Sequence, residues 1–158
     1  MSFERIVALL TEGGARFRVI EHPPEGKSED VARLRGTQPG QGAKAMLCRN
    51  RDGDEPWVLA VLPGDRKLDF KRVAAAAGAK KMTLASVDEV LRETGCVIGA
   101  VPPFTFWPRI RLFVDPALVA SNDEIAFNAA RLDRSMVLDA RDYVRLAKPE
   151  LVALAAEA

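Results

Sequence analysis

The spacing of apolar positions changes period repeatedly along these 158 residues, and each change marks an expected element. Phe3, Ile6, Val7 and Leu10 recur at helical spacing, and Gly13-Gly14 is expected to end that helix. Ala15 to His22 alternates as a strand with Arg18, Ile20 and His22 on one face, until Pro23-Pro24-Glu25-Gly26 breaks it. Ser28 is placed to cap a short helix with Glu29 and Asp30 in its first turn and Gly36 after its end. Gly40-Gln41-Gly42 hinges into a strand over Ala43 to Cys48, whose hairpin partner Trp57 to Leu62 is apolar throughout and so expected at the centre of a sheet. Asp69 is the expected N-cap of a helix ending at Gly78, with Leu68 and Val73 as its hydrophobic staple; Ser86 and Glu89 form a capping box for a helix ending at Gly95. Cys96-Val97-Ile98 reads as a short strand, and further strands are expected over 111–115, 124–129 and 135–139. Asp139 caps a later helix, and an alanine-rich helix is expected after Pro149.

Short strands and helices mixed in this order predict an α+β fold as one domain over residues 1–158, without the strict alternation of a doubly wound sheet. No run of about 18 apolar residues is present, and the early charges Glu4 and Arg5 do not fit a signal peptide, so a cytoplasmic protein is expected. A net charge of +1 argues against coating duplex DNA or RNA, which needs a basic stripe, while leaving room for contact with a few phosphates. Cys48 and Cys96, both in expected strands, read as core thiols. One histidine and no CxxC pair leave no visible transition-metal site, and nothing calls for a cofactor.

Lys44 is the anomaly in its strand. Alternation puts Ala43, Ala45 and Leu47 on one side and Lys44, Met46 and Cys48 on the other, so a lysine points into a partly enclosed space. Either it meets an anion there, or its stem lies on apolar surface with the head in water. The surrounding glycines fit GxGxxA superficially, but they follow a helix and open a strand, the reverse of the dinucleotide-binding order. No GxxxxGK[ST] or GxSxG motif occurs, so a hydrolase of this sequence would use water as its nucleophile.

The second informative stretch is Gly99-Ala100-Val101-Pro102-Pro103-Phe104. Gly99, Ala100 and Val101 keep their N–H groups while the two prolines stiffen the backbone, so the loop is either an oxyanion-binding element or a plain turn. His22 is a candidate acid, base or orienter, or a strand-end residue satisfied locally. Asn128 is a polar amide opposite Ile125 and Phe127 in an otherwise apolar strand, suited to a ligand or to a buried backbone group. Arg109 and Arg111 share a strand face and suit either phosphates or solvent.

Five segments in order, Glu25-Gly26-Lys27-Ser28, Arg35-Gly36-Thr37, Gly40 to Ala45, Gly95 to Phe104 and Asp123 to Ala129, resemble the YbaK/EbsC (ProX) family, most closely its YeaK branch. That family is similar to the editing domain of bacterial prolyl-tRNA synthetases, and its members are trans-editing aminoacyl-tRNA deacylases. The resemblance implies a curved, largely antiparallel mixed sheet wrapped by helices, and hydrolysis of Ser-, Thr- or Ala-tRNA at the ester of the 3′ CCA end, with transient contact to a synthetase. By the same resemblance Lys44 anchors the terminal phosphate or the reacting end, and Gly99, Ala100, Val101 and Pro103, with Pro102 between them, form the GxxxP loop that positions water and carbonyl. Asn128 and Ser135 fall at polar pocket positions and His22 at a recurrent strand end. The chain departs from the family pattern at Ala45, where some relatives carry Asn, and at Ala129-Ala130, where the strand usually ends Ala-Gly. A non-catalytic module binding a tRNA end, an oligonucleotide or an amino acid is the alternative reading.

Overall fold

The computed structural model describes residues 1–157. Helix α1 (Phe3–Glu12) is capped by the Ser2 hydroxyl and packs Ile6 and Leu10 into the core; strand β1 (Phe17–Glu21) follows. Helix α2 (Ser28–Arg35) and a single 3-10 turn at Pro39–Gln41 lead into the hairpin of β2 (Ala43–Asn50) and β3 (Trp57–Pro63). Helix α3 (Phe70–Ala77), strand β4 (Met82–Leu84) and helix α4 (Val87–Thr94) come next, then β5 (Ile110–Val114) and α5 (Pro116–Ala120). Strands β6 (Glu124–Arg131) and β7 (Arg134–Asp139), helix α6 (Ala140–Ala147) and the two-residue strand β8 (Glu150–Leu151) complete the order.

The fold is α+β, and its strands form two sheets. One is antiparallel in the order β1-β7-β6; the other is mixed, β4-β2-β3-β5-β8, with β3 central and buried along its whole length as its apolar run requires. A parallel bridge between Gly42 and Ala126 joins them where β2 begins. Ala43, Leu47, Leu59 and Val61 from one sheet and Ile125, Phe127, Met136 and Leu138 from the other share the larger core. Cys48, Val58, Ala60, Val73 and Phe113 fill a second core under α3 on the opposite face of the mixed sheet.

Several local expectations hold for the stated reasons. Asp69 accepts from the Lys71 amide, Ser86 and Glu89 form a reciprocal capping box, and Asp139 accepts from the Asp142 amide. Four differ. Ser28 is the first helical residue and Lys27 the N-cap, because the Glu25 carboxylate takes the Gly26 and Lys27 amides and starts the helix one residue early. Cys96 to Ile98 is a turn: the Thr94 hydroxyl accepts from the Cys96 amide, and Ala100 donates to Val97, so the backbone is satisfied locally with no ladder. Cys96 is therefore a buried thiol outside any strand. The segment after Pro149 is extended, because Asp115 accepts from the Leu154 and Ala155 amides at 2.9 Å and Arg111 grips Glu150 with two nitrogens. Neither β4 nor α5 was expected: β4 is only three residues long and α5 only five.

The end of β6 is strained. Pairing slips between Asn128 and Arg131, and Ala130 adopts φ +67°, a left-handed conformation that suits glycine. Its amide donates to the Ala100 carbonyl at 3.0 Å, so the bulge holds the Gly99–Pro103 loop. Ala130→Gly should relieve the strain at a small entropic cost, stabilising the chain by about 0.5–1 kcal/mol in a urea titration. Destabilisation would show that the Ala130 methyl contributes more by packing than it costs by strain.

Candidate active site

Where the two sheets meet, a small cavity of about 60 Å³ opens beneath α2. Its walls come from four places. Ser28, Val31 and Arg35 lie at i, i+3 and i+7 along α2, on one helical face; Ala43, Lys44 and Ala45 open β2; Gly99 and Val101 come from the proline loop, with Asn128 from β6. An apolar cavity of about 100 Å³ adjoins it, sharing Ala45, Gly99 and Val101 and reaching Met46, Leu84 and Ile98.

The floor depends on two glycines. Gly99 has φ +87°, and a Cβ there would lie 2.9 Å from the Gly26 Cα, inside any real contact distance. The 25–28 segment and the proline loop thus touch backbone to backbone. Asn128 ties them together: its side-chain amide donates to the Glu25 and Gly99 carbonyls, both at 2.8 Å. Behind the loop, the Tyr143 hydroxyl donates to the Pro103 carbonyl at 2.6 Å, and Phe104 packs edge-on against Phe127 and Tyr143. Ala100, Pro102 and Pro103 are buried there and do not line the cavity; the Ala100 amide is engaged by Val97.

Asn128 belongs to a buried network that the residue-by-residue reading did not assemble. Asn128 and Ser135 are register partners on the sheet face away from Ile125 and Phe127. Arg35 donates through Nε to the Ser135 hydroxyl at 2.7 Å and through Nη2 to Asn128 Oδ1 at 3.1 Å. His22, just beyond β1, places Nε2 at 2.6 Å from the same hydroxyl and Nδ1 at 2.8 Å from the Pro23 carbonyl. A carbonyl can only accept, so Nδ1 carries a proton; the single Ser135 proton has Asn128 Oδ1 at 3.0 Å as an acceptor as well as Nε2, so the direction of the His22–Ser135 bond follows the ring's protonation.

A serine hydroxyl 2.6 Å from a histidine nitrogen resembles a nucleophile and its base. Here it is closed off: Ser135 is 0% exposed, does not line the cavity, and already accepts from a guanidinium. His22 and Ser135 act on the cavity through Asn128 and Arg35.

Lys44 is half-buried, and its ammonium donates to the Arg66 carbonyl in the turn after β3. Burial lowers its pKa, and the nearby Asp65 carboxylate opposes that shift. Arg109 and Arg111 are engaged elsewhere, with Glu93 and Glu150 respectively.

The family model described as "Aminoacyl-tRNA editing domain" matches residues 22–146, which include the cavity's walls. The chain belongs to the aminoacyl-tRNA editing domain family. The multifunctional Ser/Thr-tRNA deacylase ProXp-y of Escherichia coli (strain K12) is 47% identical over 153 residues, covering 96% of this chain and 92% of that protein. A proline--tRNA ligase of Stenotrophomonas maltophilia (strain R551-3) is 28% identical over 137 residues, 85% of this chain but 24% of the ligase. Among solved structures, hypothetical protein APE2540 superposes with a TM-score of 0.86 at 23% identity, covering 96% of this chain and 99% of that one. The solved structure shares the fold, and the family model and the curated relatives carry the family assignment.

Gly99→Ala is expected to cost about 1–3 kcal/mol of stability, because the left-handed backbone and the Gly26 contact both oppose a methyl group. Thermal melts at matched concentration check this; an unchanged Tm would mean that the loop shifts freely.

Proposed function

We propose that this editing domain hydrolyses mischarged aminoacyl-tRNA carrying small amino acids, seryl and threonyl first, by attack of water on the 3′-terminal ester. The observation that supports it best is the cavity itself. It joins Lys44, a glycine-proline loop and a polar Asn128 in one small space, and Ser135 and His22, which lie at hydrogen-bond distance from each other, do not line it. An aminoacyl ester is already activated, so positioning water and stabilising the oxyanion suffice without a covalent intermediate.

In this reading water adds to the ester carbonyl carbon, and the carbonyl oxygen takes the negative charge. Collapse breaks the bond to the ribose oxygen, which leaves with a proton as the free hydroxyl of the tRNA end, and the amino acid departs as its acid. The amides of Gly99 and Val101 supply the loop's donors, since that of Ala100 is engaged. Lys44 acts as a fixed positive charge. Its ammonium donates to the Arg66 carbonyl, and the nearby Asp65 carboxylate offsets part of the lowering of its pKa by burial. His22, Ser135 and Asn128 hold the polar wall; Pro102 and Pro103 hold the loop. The limited positive charge suits grip on a single-stranded CCA end, leaving tRNA identity to weak contacts or to a synthetase partner.

An editing pocket of this kind answers a physical limit. Synthetase sites separate ligands by one methylene with only about 1–3 kcal/mol, and they reject an added hydroxyl poorly. A second, small site removes what passes.

The test is ester loss from Ser-, Thr-, Ala-, Pro- and Cys-tRNA with purified wild type and Lys44→Ala. Wild type should clear Ser- and Thr-tRNA, and Lys44→Ala should be slower by about 100-fold or more. Binding of tRNA without turnover would favour the non-catalytic module; salt-sensitive duplex binding would favour an oligonucleotide-binding protein. Equal rates for wild type and Lys44→Ala would remove Lys44 from the mechanism.

A further inference from the structure

Of the two cations that line the cavity, only one has a neighbouring carboxylate. Lys44 has Asp65. Arg35 is 9% exposed, bonds only to the neutral oxygens of Ser135 and Asn128, and has no carboxylate within salt-bridge distance among the described residues. A guanidinium carries five donors in a planar fork, and the two bonds seen leave its Nη1 edge without a protein partner. That edge lies toward Gly42: a Cβ on Gly42 would stand 3.8 Å from Nη1, and both residues line the cavity. Burial lowers the Arg35 pKa to about 10 with no opposing anion, yet the group stays charged at neutral pH.

A guanidinium held by neutral oxygens on two of its nitrogens, with its third nitrogen open to a cavity and no carboxylate opposite it, is placed to receive an anion. The cavity lining does not supply it: no carboxylate lines the cavity among the described residues, and the Glu25 carboxylate is taken up by the Gly26 and Lys27 amides. Helical side chains lean toward the N-terminus, so Arg35, at the far end of α2, reaches back over Val31 to the cavity.

We propose that Arg35 is the anion-receiving group of the cavity, its Nη1 edge binding a negatively charged oxygen of the substrate. This rests on the deacylase reading. That oxygen has two sources on an aminoacyl-tRNA end: the oxyanion formed at the ester carbon, or the phosphate leading into the terminal nucleotide. Both are met by the same planar donor pair.

The experiment uses the full chain and two readouts. One is single-turnover deacylation of Ser-tRNA by Arg35→Gln, Arg35→Lys and Arg35→Ala, the last with and without methylguanidinium. The other is binding of 3′-serylamido-adenosine, which has an amide in place of the ester, with and without its 5′-phosphate. If the oxyanion is the ligand, Arg35→Gln lowers the saturating rate about 100-fold, leaves both analogue affinities unchanged, and methylguanidinium restores part of the Arg35→Ala rate. If the phosphate is the ligand, wild type prefers the phosphorylated analogue, Arg35→Gln abolishes that preference, and the saturating rate stays within about threefold. Folded Arg35→Gln with wild-type rate and wild-type affinity for both analogues overturns the proposal.

Should the neutral variants fail to fold, sulfate reads the same group. It should compete with substrate in wild type more strongly than sodium chloride at equal ionic strength, and less so in Arg35→Lys; no sulfate-specific effect in wild type overturns the proposal. Wild type that hydrolyses no aminoacyl-tRNA would instead sink the deacylase reading, while the analogue and sulfate measurements would still report on Arg35.

Discussion

The buried contact of Arg35 with Ser135 and Asn128 is the interaction around which the site is arranged. Burying a guanidinium costs several kcal/mol unless its donors are met, and here they are met in part by neutral oxygens from two neighbouring strands. That contact anchors α2 over the three-stranded sheet. It also orients Asn128, whose amide then spans the Glu25 and Gly99 carbonyls and closes the 25–28 segment onto the proline loop. Each member of the chain uses its capacity on the next, so the cavity's shape follows from one polar network.

Two features that look chemically similar in isolation separate once burial is considered. His22 and Ser135 sit at the distance of a nucleophilic pair, but the hydroxyl is sealed and already accepts from Arg35. Gly99 and Val101 look like ordinary turn residues, yet they reach the cavity. Exposure to the cavity, more than residue type, divides groups that can meet a substrate from groups that hold others in place. The same division applies to the cations: Lys44 has the Arg66 carbonyl as partner and the Asp65 carboxylate nearby, while Arg35 has no carboxylate beside it.

Strain and support are paired at the loop. Ala130 stands in a conformation that suits glycine, and its amide is what reaches the Ala100 carbonyl. The family pattern of Ala-Gly at that point has a physical reason, and this chain keeps the backbone shape with the less suitable residue. On the other side, Tyr143 and Phe104 brace the loop from the core.

The sequence by itself determined what is governed by neighbours in the chain. Helix ends at Gly13, Gly78 and Gly95, the caps at Asp69, Ser86 and Asp139, the central apolar β3 and the odd placement of Lys44 all follow from local periodicity and backbone preference. The ordered motifs also brought Lys44, Gly99, Val101 and Asn128 into view as one site, and the cavity contains all four. Tertiary structure decided whatever depends on a distant partner. Asp115 and Glu150 hold the tail extended where alanines favour a helix, and a local turn displaces the expected strand at Cys96. Arg35 is the sharpest case. Its place at i+7 from Ser28, on the face of Val31, was a readable signal that it turns inward; that it meets Ser135, 100 residues away, and faces the cavity with no carboxylate beside it is a matter of which strands fold beneath α2.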